Sequence, residues 1–228
     1  QLPAADAKVF NQVMGELAAT GAEGVGILAD MLVPASQGEN AAVEYALNGV
    51  ASFVTAAARE QLRPAVCEGL LAALARCKDD ANRAFLVSQL QLCATADNAA
   101  ALAAYIDDPY LGDPVLRALI SIPDSEATLL SLARRSDLSD AQRAALAYAF
   151  GEKRTAAAEP ILLGWIDGAD DATRAALYPA LASCGTAASA KALEAAARAV
   201  DYGCDETAAT DSYLRLRRPC GRAGAGRS

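Results

Sequence analysis

The sequence predicts an all-α fold in which about six helix pairs stack into an α-α superhelix, a right-handed solenoid. Three observations predict it. Alanine supplies 57 of the 228 residues and aromatic residues only 5%. Alanine is the strongest helix former, whereas strands favour β-branched and aromatic side chains. Aspartates recur at Asp79, Asp107, Asp137 and Asp167, spacings of 28, 30 and 30 residues, read here as helix-start positions. Apolar residues follow helical spacing between them, as in Leu129, Leu132 and Ala133 or Ile161, Leu162 and Trp165.

The N-terminal part, 1–78, is the less regular. Its apolar stripes predict helices over Ala5–Ala19, Ala22–Leu32, Asn40–Val54 and Arg63–Cys77, with a break at Val33–Glu39 where Pro34, Ser36 and Gly38 cluster. Asn48-Gly49 would suit a hairpin turn in isolation. Inside so strong a helical pattern, the glycine reads as a point of close helix packing.

Regular repeats follow over 79–200. Their first helices open at Asp79-Asp80, Asp113, Asp140 and Asp170-Asp171, each acid followed three or four residues later by Arg83, Arg117, Arg143 or Arg174. An aspartate there caps free backbone N–H groups and suits the positive end of the helix dipole. The arginine lies on the same face and pairs with it, or bridges to the next repeat as a ladder. Second helices are predicted over Asn98–Ile106, Ser125–Arg134, Ala156–Ile166 and Thr186–Val200, with Pro160 in the first turns of its helix. A last helix is expected over 201–214, so the repeat domain covers 1–214. Residues 215–228, with five arginines and no acid, are expected to form a basic, disordered tail.

Composition excludes several functions. The chain has no histidine, which removes the usual general base, the Ser-His and Cys-His nucleophile pairs and the commonest metal ligand. The net charge is −8 overall and −13 over residues 1–214. Such a body repels phosphate backbones, so no nucleic-acid partner is expected. No apolar run approaches the length of a membrane span.

The pattern Asp170, Arg174, Ala180-Leu181, Gly185 resembles the HEAT-like repeats of the phycobilisome-lyase type, and the likeness covers about Asp79–Val200. Gly21–Val25 through Leu32, and Val43–Ala51, resemble the helical region of exported Bacteroidetes proteins in which such repeats precede a concanavalin-like domain of the 3-keto-disaccharide hydrolase family. This resemblance implies a bacterial, periplasmic or secreted setting and an accessory role. The hydrolase's catalytic residues have no counterparts here, because no run of alternating strands is present. It also implies that second helices line a concave face. There Arg134, Arg135, Lys191, Glu194 and Arg198 are the candidate partner-binding residues.

Other chemistry is weaker. Paired acids at Asp79-Asp80, Asp107-Asp108 and Asp170-Asp171 could suggest a two-carboxylate hydrolase or a calcium site. They repeat with the architecture, whereas a catalytic dyad should occur once, so capping is the better reading. Tyr105 and Trp165, at matching repeat positions, read as core fillers. Of the six cysteines, Cys67 and Cys93 fall level across one helical hairpin. Helix axes ~8–10 Å apart favour buried free thiols, and a disulfide stays open for an exported protein. The expectation is a non-catalytic module that binds a protein partner or an adjoining domain, with no cofactor and no metal. The alternative is an enzyme of bilin-lyase-like or glycoside-active type.

Overall fold

The computed structural model describes residues 6–217. Among them are thirteen α-helices, two short 3₁₀ turns and no strand. The chain forms two compact units, divided between Ser125 and Glu126.

The first unit holds α1 (Ala7–Ala19), α2 (Gly21–Ala29), α3 (Ala41–Phe53), α4 (Arg63–Arg76), α5 (Asp80–Cys93), α6 (Ala96–Ala103) and α7 (Gly112–Ser121). Helices two apart in the chain pack on one another: α1 on α3, α3 on α5 and α5 on α7, with α2 on α4 and α4 on α6. Neighbouring helices join the two rows. The seam between rows is apolar. Val66, Leu70 and Leu74 of α4 recur at four-residue intervals and are buried, as are Leu86 and Leu90 of α5. Burying each leucine contributes about 1.5–3 kcal/mol, while the alanines between them keep the helices close.

Two glycines admit close contacts between helices of this unit. A Cβ on Gly69 of α4 would lie 2.6 Å from the Ala22 carbonyl oxygen of α2. A Cβ on Gly49 of α3 would meet the Met14 sulfur at 2.5 Å, so the Asn48-Gly49 pair sits inside a helix and admits α1. The Val33–Glu39 loop is closed by Asn40, whose carboxamide accepts from Val33 N at 2.9 Å and donates to Val33 O at 2.8 Å. The same Nδ2 donates to Asn82 Oδ1 on α5 at 3.1 Å.

The second unit holds α8 (Glu126–Ala133), α9 (Asp140–Lys153), α10 (Glu159–Ile166), α11 (Asp171–Cys184), α12 (Ala187–Ala199) and α13 (Ala209–Arg217). The next-but-one pattern continues within it: α9 packs on α11, α11 on α13 and α10 on α12. Leu129, Phe150, Leu162, Leu177, Leu181 and Leu193 are fully buried. Lys153 reaches Glu126 at 3.3 Å and ties the end of α9 to the start of α8.

Several helix starts differ from the sequence reading. Asp79 and Asp170 do cap α5 and α11, accepting from Asn82 N at 3.0 Å and Thr173 N at 2.7 Å. Asp107, Asp137 and Asp167 do not. Asp167 ends α10, and α9 is capped by Ser139, whose hydroxyl and Gln142 form a reciprocal capping box. Before α7, Asp108 accepts from Tyr110 N and Leu111 N and orders the turn that leads in. Nor are Tyr105 and Trp165 core fillers: both are only half-buried, and the Arg83 guanidinium lies 5.9 Å from the Tyr105 ring centre.

The final helix starts later and runs further than read, from Ala209 to Arg217. Residues 215–217, read as tail, are therefore helical. Arg215 donates to Pro179 O of α11 at 3.0 Å and Arg217 to the Tyr213 hydroxyl at 2.6 Å, so both are anchored to the second unit. The rest of the expected tail, 218–228, lies outside the described residues.

Candidate functional site

The predicted partner-binding residues fall at two places in the second unit. Arg134 and Arg135 follow α8 directly. Arg134 is exposed, while Arg135 holds Asp137 through two hydrogen bonds of 3.0 and 2.8 Å and keeps that carboxyl below its ordinary pKa. Lys191, Glu194 and Arg198 stand on α12.

The sequence explains how α12 presents them. Its inner stripe is Ser189, Leu193 and Ala197, at four-residue spacing and fully buried. Lys191, Glu194 and Arg198 are spaced by three and four residues and occupy the other side of the helix. Arg198 Nη2 donates to Glu194 Oε1 at 3.2 Å, and their side chains remain 70% and 40% exposed. Salt and water screen a pair so open, and it contributes little to stability.

The chain then turns back on itself. Asp201 and Tyr202 both take left-handed backbone, with φ of 51° and 55°. Tyr202 N donates to Ala197 O at 2.8 Å, closing the helix end. The turn delivers the Tyr202 ring to 6.2 Å from that of Tyr213 on α13. Tyr213 itself is buried, and the Arg217 guanidinium lies 5.5 Å from its ring centre. The Arg198 guanidinium is held above its ordinary pKa, first by hydrogen bonding with Tyr202 and further by Glu194 and Tyr213. Arg217 is held up in the same way, first by the Tyr213 hydroxyl and further by Glu194 and Tyr202.

Two arginines, two tyrosines and one glutamate thus form one patch across α12 and α13. Sequence reasoning found Glu194 and Arg198 but missed Tyr202, Tyr213 and Arg217. The i, i+4 spacing of Tyr213 and Arg217 was a usable signal. Tyr202 carried none, because its place depends on the left-handed turn.

A cleft of about 370 Å³ opens between α11, α12 and the segment before α13, with Arg174, Tyr178, Asp205 and Glu206 on its walls. Three of its charged groups, Asp171, Arg174 and Asp205, are engaged by neighbours. Arg174 pairs with Asp171 at 3.1 Å. Asp205 accepts from the Thr207 hydroxyl, from Thr207 N at 3.0 Å and from Ala209 N at 3.1 Å. Those bonds, the Thr207 hydroxyl first, keep its carboxyl below the ordinary range. Burial pushes the Tyr178 phenol up, which suits a hydroxyl that stays protonated.

A buried carboxylate lies at the other end of α12, against its first turn. Glu159 of α10 accepts from Thr186 N at 2.7 Å, Ser189 N at 3.1 Å, the Ser189 hydroxyl at 2.6 Å and the Thr186 hydroxyl at 2.9 Å. Desolvation raises its pKa, but the Ser189 and Thr186 donors outweigh that and hold it below the ordinary value. A carboxylate so saturated caps a helix and is a poor proton shuttle. Among the described residues, no group of three or more histidine, cysteine, aspartate or glutamate side chains is placed to hold a metal ion, and no helix is long and apolar enough to cross a membrane. The chain matches no protein-family model, no curated protein and no solved structure.

Proposed function

We propose that this chain is a non-catalytic binding or scaffold module of HEAT-like helical repeats, and that a protein partner or adjoining domain docks on the arginine–tyrosine patch of α12 and α13, with Lys191 extending it along α12 and Arg134-Arg135, after α8, as a second contact point. One observation carries the reading. The recurring acids are spent on helix starts, as at Asp79 and Asp170, or on neighbouring arginines, as at Asp140 and Asp171. The α12–α13 patch instead sets the exposed Arg198, Tyr202 and Arg217 around the buried Tyr213. Arginine and tyrosine are enriched where proteins bind one another.

The solenoid reading is supported by the next-but-one packing within each unit. The exported setting, periplasmic or secreted, and an accessory place beside a carbohydrate-active domain are supported by the likeness of Gly21–Leu32 and Val43–Ala51 to that family. The test is photo-crosslinking in the native cell, with a photoreactive residue at Lys191 or Arg198 and a control at Gln12 on α1. A discrete adduct from both α12 positions, absent from the control and, with the probe at Lys191, abolished by the R198E/R217E pair, is expected. Equal labelling at all three positions would overturn the assignment.

A further inference from the structure

We propose that Cys67 and Cys93 are a thiol pair that closes to a disulfide across the α4–α5 hairpin and so locks the first unit under oxidation. The two sulfurs lie 3.6 Å apart, and both residues are fully buried. A disulfide needs about 2.05 Å between sulfurs. Closing the gap takes roughly 1.5 Å, within the reach of small side-chain rotations shared by two helices. Cys67 lies one turn into α4 and Cys93 ends α5, so the bond would join the open ends of the hairpin, opposite its turn at 77–79.

The surroundings favour reaction at Cys67. Arg63, one turn earlier on α4, donates to the carbonyl oxygens of Cys93 and Ala94. It therefore pins the end of α5 against the start of α4 and brings a cation to the pair. The Cys93 thiol hydrogen-bonds with Cys67 and, with Arg63, draws the Cys67 thiol below its ordinary pKa. Cys93 is pushed up, first by that same hydrogen bond and then by burial. The direction of the shifts makes Cys67, beside the Arg63 cation, the more readily deprotonated sulfur of the two.

Hydrogen peroxide is an oxidant small enough to enter during a local opening. The Cys67 thiolate attacks one peroxide oxygen, forming an S–O bond and breaking the O–O bond, with hydroxide leaving. Cys93 then attacks the sulfenic sulfur, the S–S bond replaces the S–O bond, and the Cys93 proton leaves with the oxygen as water. Overall, two thiols and one peroxide give one disulfide and two waters. The other cysteine of the first unit, Cys77, sits at the turn end of the hairpin, where its thiol donates to Asp79 O at 3.6 Å.

The test is peroxide treatment of the reduced, folded chain, followed by thiol titration in denaturant and non-reducing peptide mapping. The expected result is a fall from six titratable thiols to four, with a single linked peptide pair joining Cys67 to Cys93. The melting of the first unit should rise by roughly 5–10 °C, reversed by dithiothreitol. C67S and C93S should each lose the link and the shift together. Retention of all six thiols by the folded chain, while the urea-unfolded chain is oxidised, would overturn the proposal. So would a link that maps to any other pair.

Discussion

Glu159 offers the sharpest test of how the second unit is held together. It is 9% exposed and sits at the start of α10, yet its carboxylate serves the first turn of α12. Replacing it with alanine strands four donors. Thr186 is exposed, so water replaces what its N–H and hydroxyl lose. Ser189 is fully buried, so its N–H and hydroxyl are left without an acceptor. Each orphaned buried donor costs about 1–3 kcal/mol. Relief of the buried charge offsets part of that, and a net loss of about 3 kcal/mol is expected for E159A. E159Q keeps one acceptor oxygen facing Ser189 but loses charge assistance, so about 1–1.5 kcal/mol is expected. The assays are urea unfolding and hydrogen exchange at the amides of 186–190, which should lose protection before the rest of α12.

The pH dependence follows from the same contacts. The folded pKa of Glu159 lies below its ordinary value. Its contribution is therefore complete above the unfolded carboxyl pKa, about 4.3, and fades as pH falls through the folded value. E159Q should flatten that acid limb and leave the neutral region parallel to wild type. An E159A loss under about 1 kcal/mol, or an acid limb unchanged in E159Q, would refute the capping argument.

G69A should destabilise the first unit by about 1–3 kcal/mol, because its methyl would press on the Ala22 carbonyl and Val25; urea unfolding reads the loss. R154G should stabilise the second unit by about 0.5–1 kcal/mol, since Arg154 ends α9 with φ 51° and ψ 45°, a conformation only glycine takes without strain; a higher urea midpoint is the readout. Asn48 on α3 donates to the buried Gln89 on α5 at 3.1 Å. A double-mutant cycle between N48A and Q89A should give a coupling of about 1 kcal/mol, whereas a coupling near zero would show the contact to be incidental.

Helix spans were legible where the apolar period met a local break, the Val33–Glu39 loop ahead of α3 or Pro64 in the first turn of α4. The helix read over Asn40–Val54 is α3, Ala41–Phe53, and that over Arg63–Cys77 is α4, Arg63–Arg76. The boundaries slipped where an aspartate served a turn. Asp108 orders the approach to α7 and Asp137 pairs with Arg135, and a repeat of some 30 residues cannot distinguish those jobs from capping. The arginine ladder was half legible. Arg143 and Arg174 pair only within their own first turns among the contacts described, at 3.2 and 3.1 Å. Arg83 alone is seen to reach forward, holding Asp80 at 3.0 Å and Asp108 at 2.7 Å. The difference is where the next turn places its acid, a tertiary fact.

The candidate site was less legible for a related reason. Glu194 and Arg198 could be found because both lie on one helix with a clear inner stripe. Tyr202, Tyr213 and Arg217 join them only through two consecutive left-handed residues, Asp201 and Tyr202, neither of them glycine. Nothing in local composition forces that turn; it holds because Tyr202 N closes α12 while its ring packs toward Tyr213. Cys67 and Cys93 are the buried free thiols that the spacing between helix axes favoured. That average spacing did not show how near they come, because two side chains reaching toward one seam bring their sulfurs to 3.6 Å. Periodicity fixes which face a residue occupies. Chemistry between faces depends on where side-chain ends meet, and in this chain both the arginine–tyrosine patch and the thiol pair arise at that level.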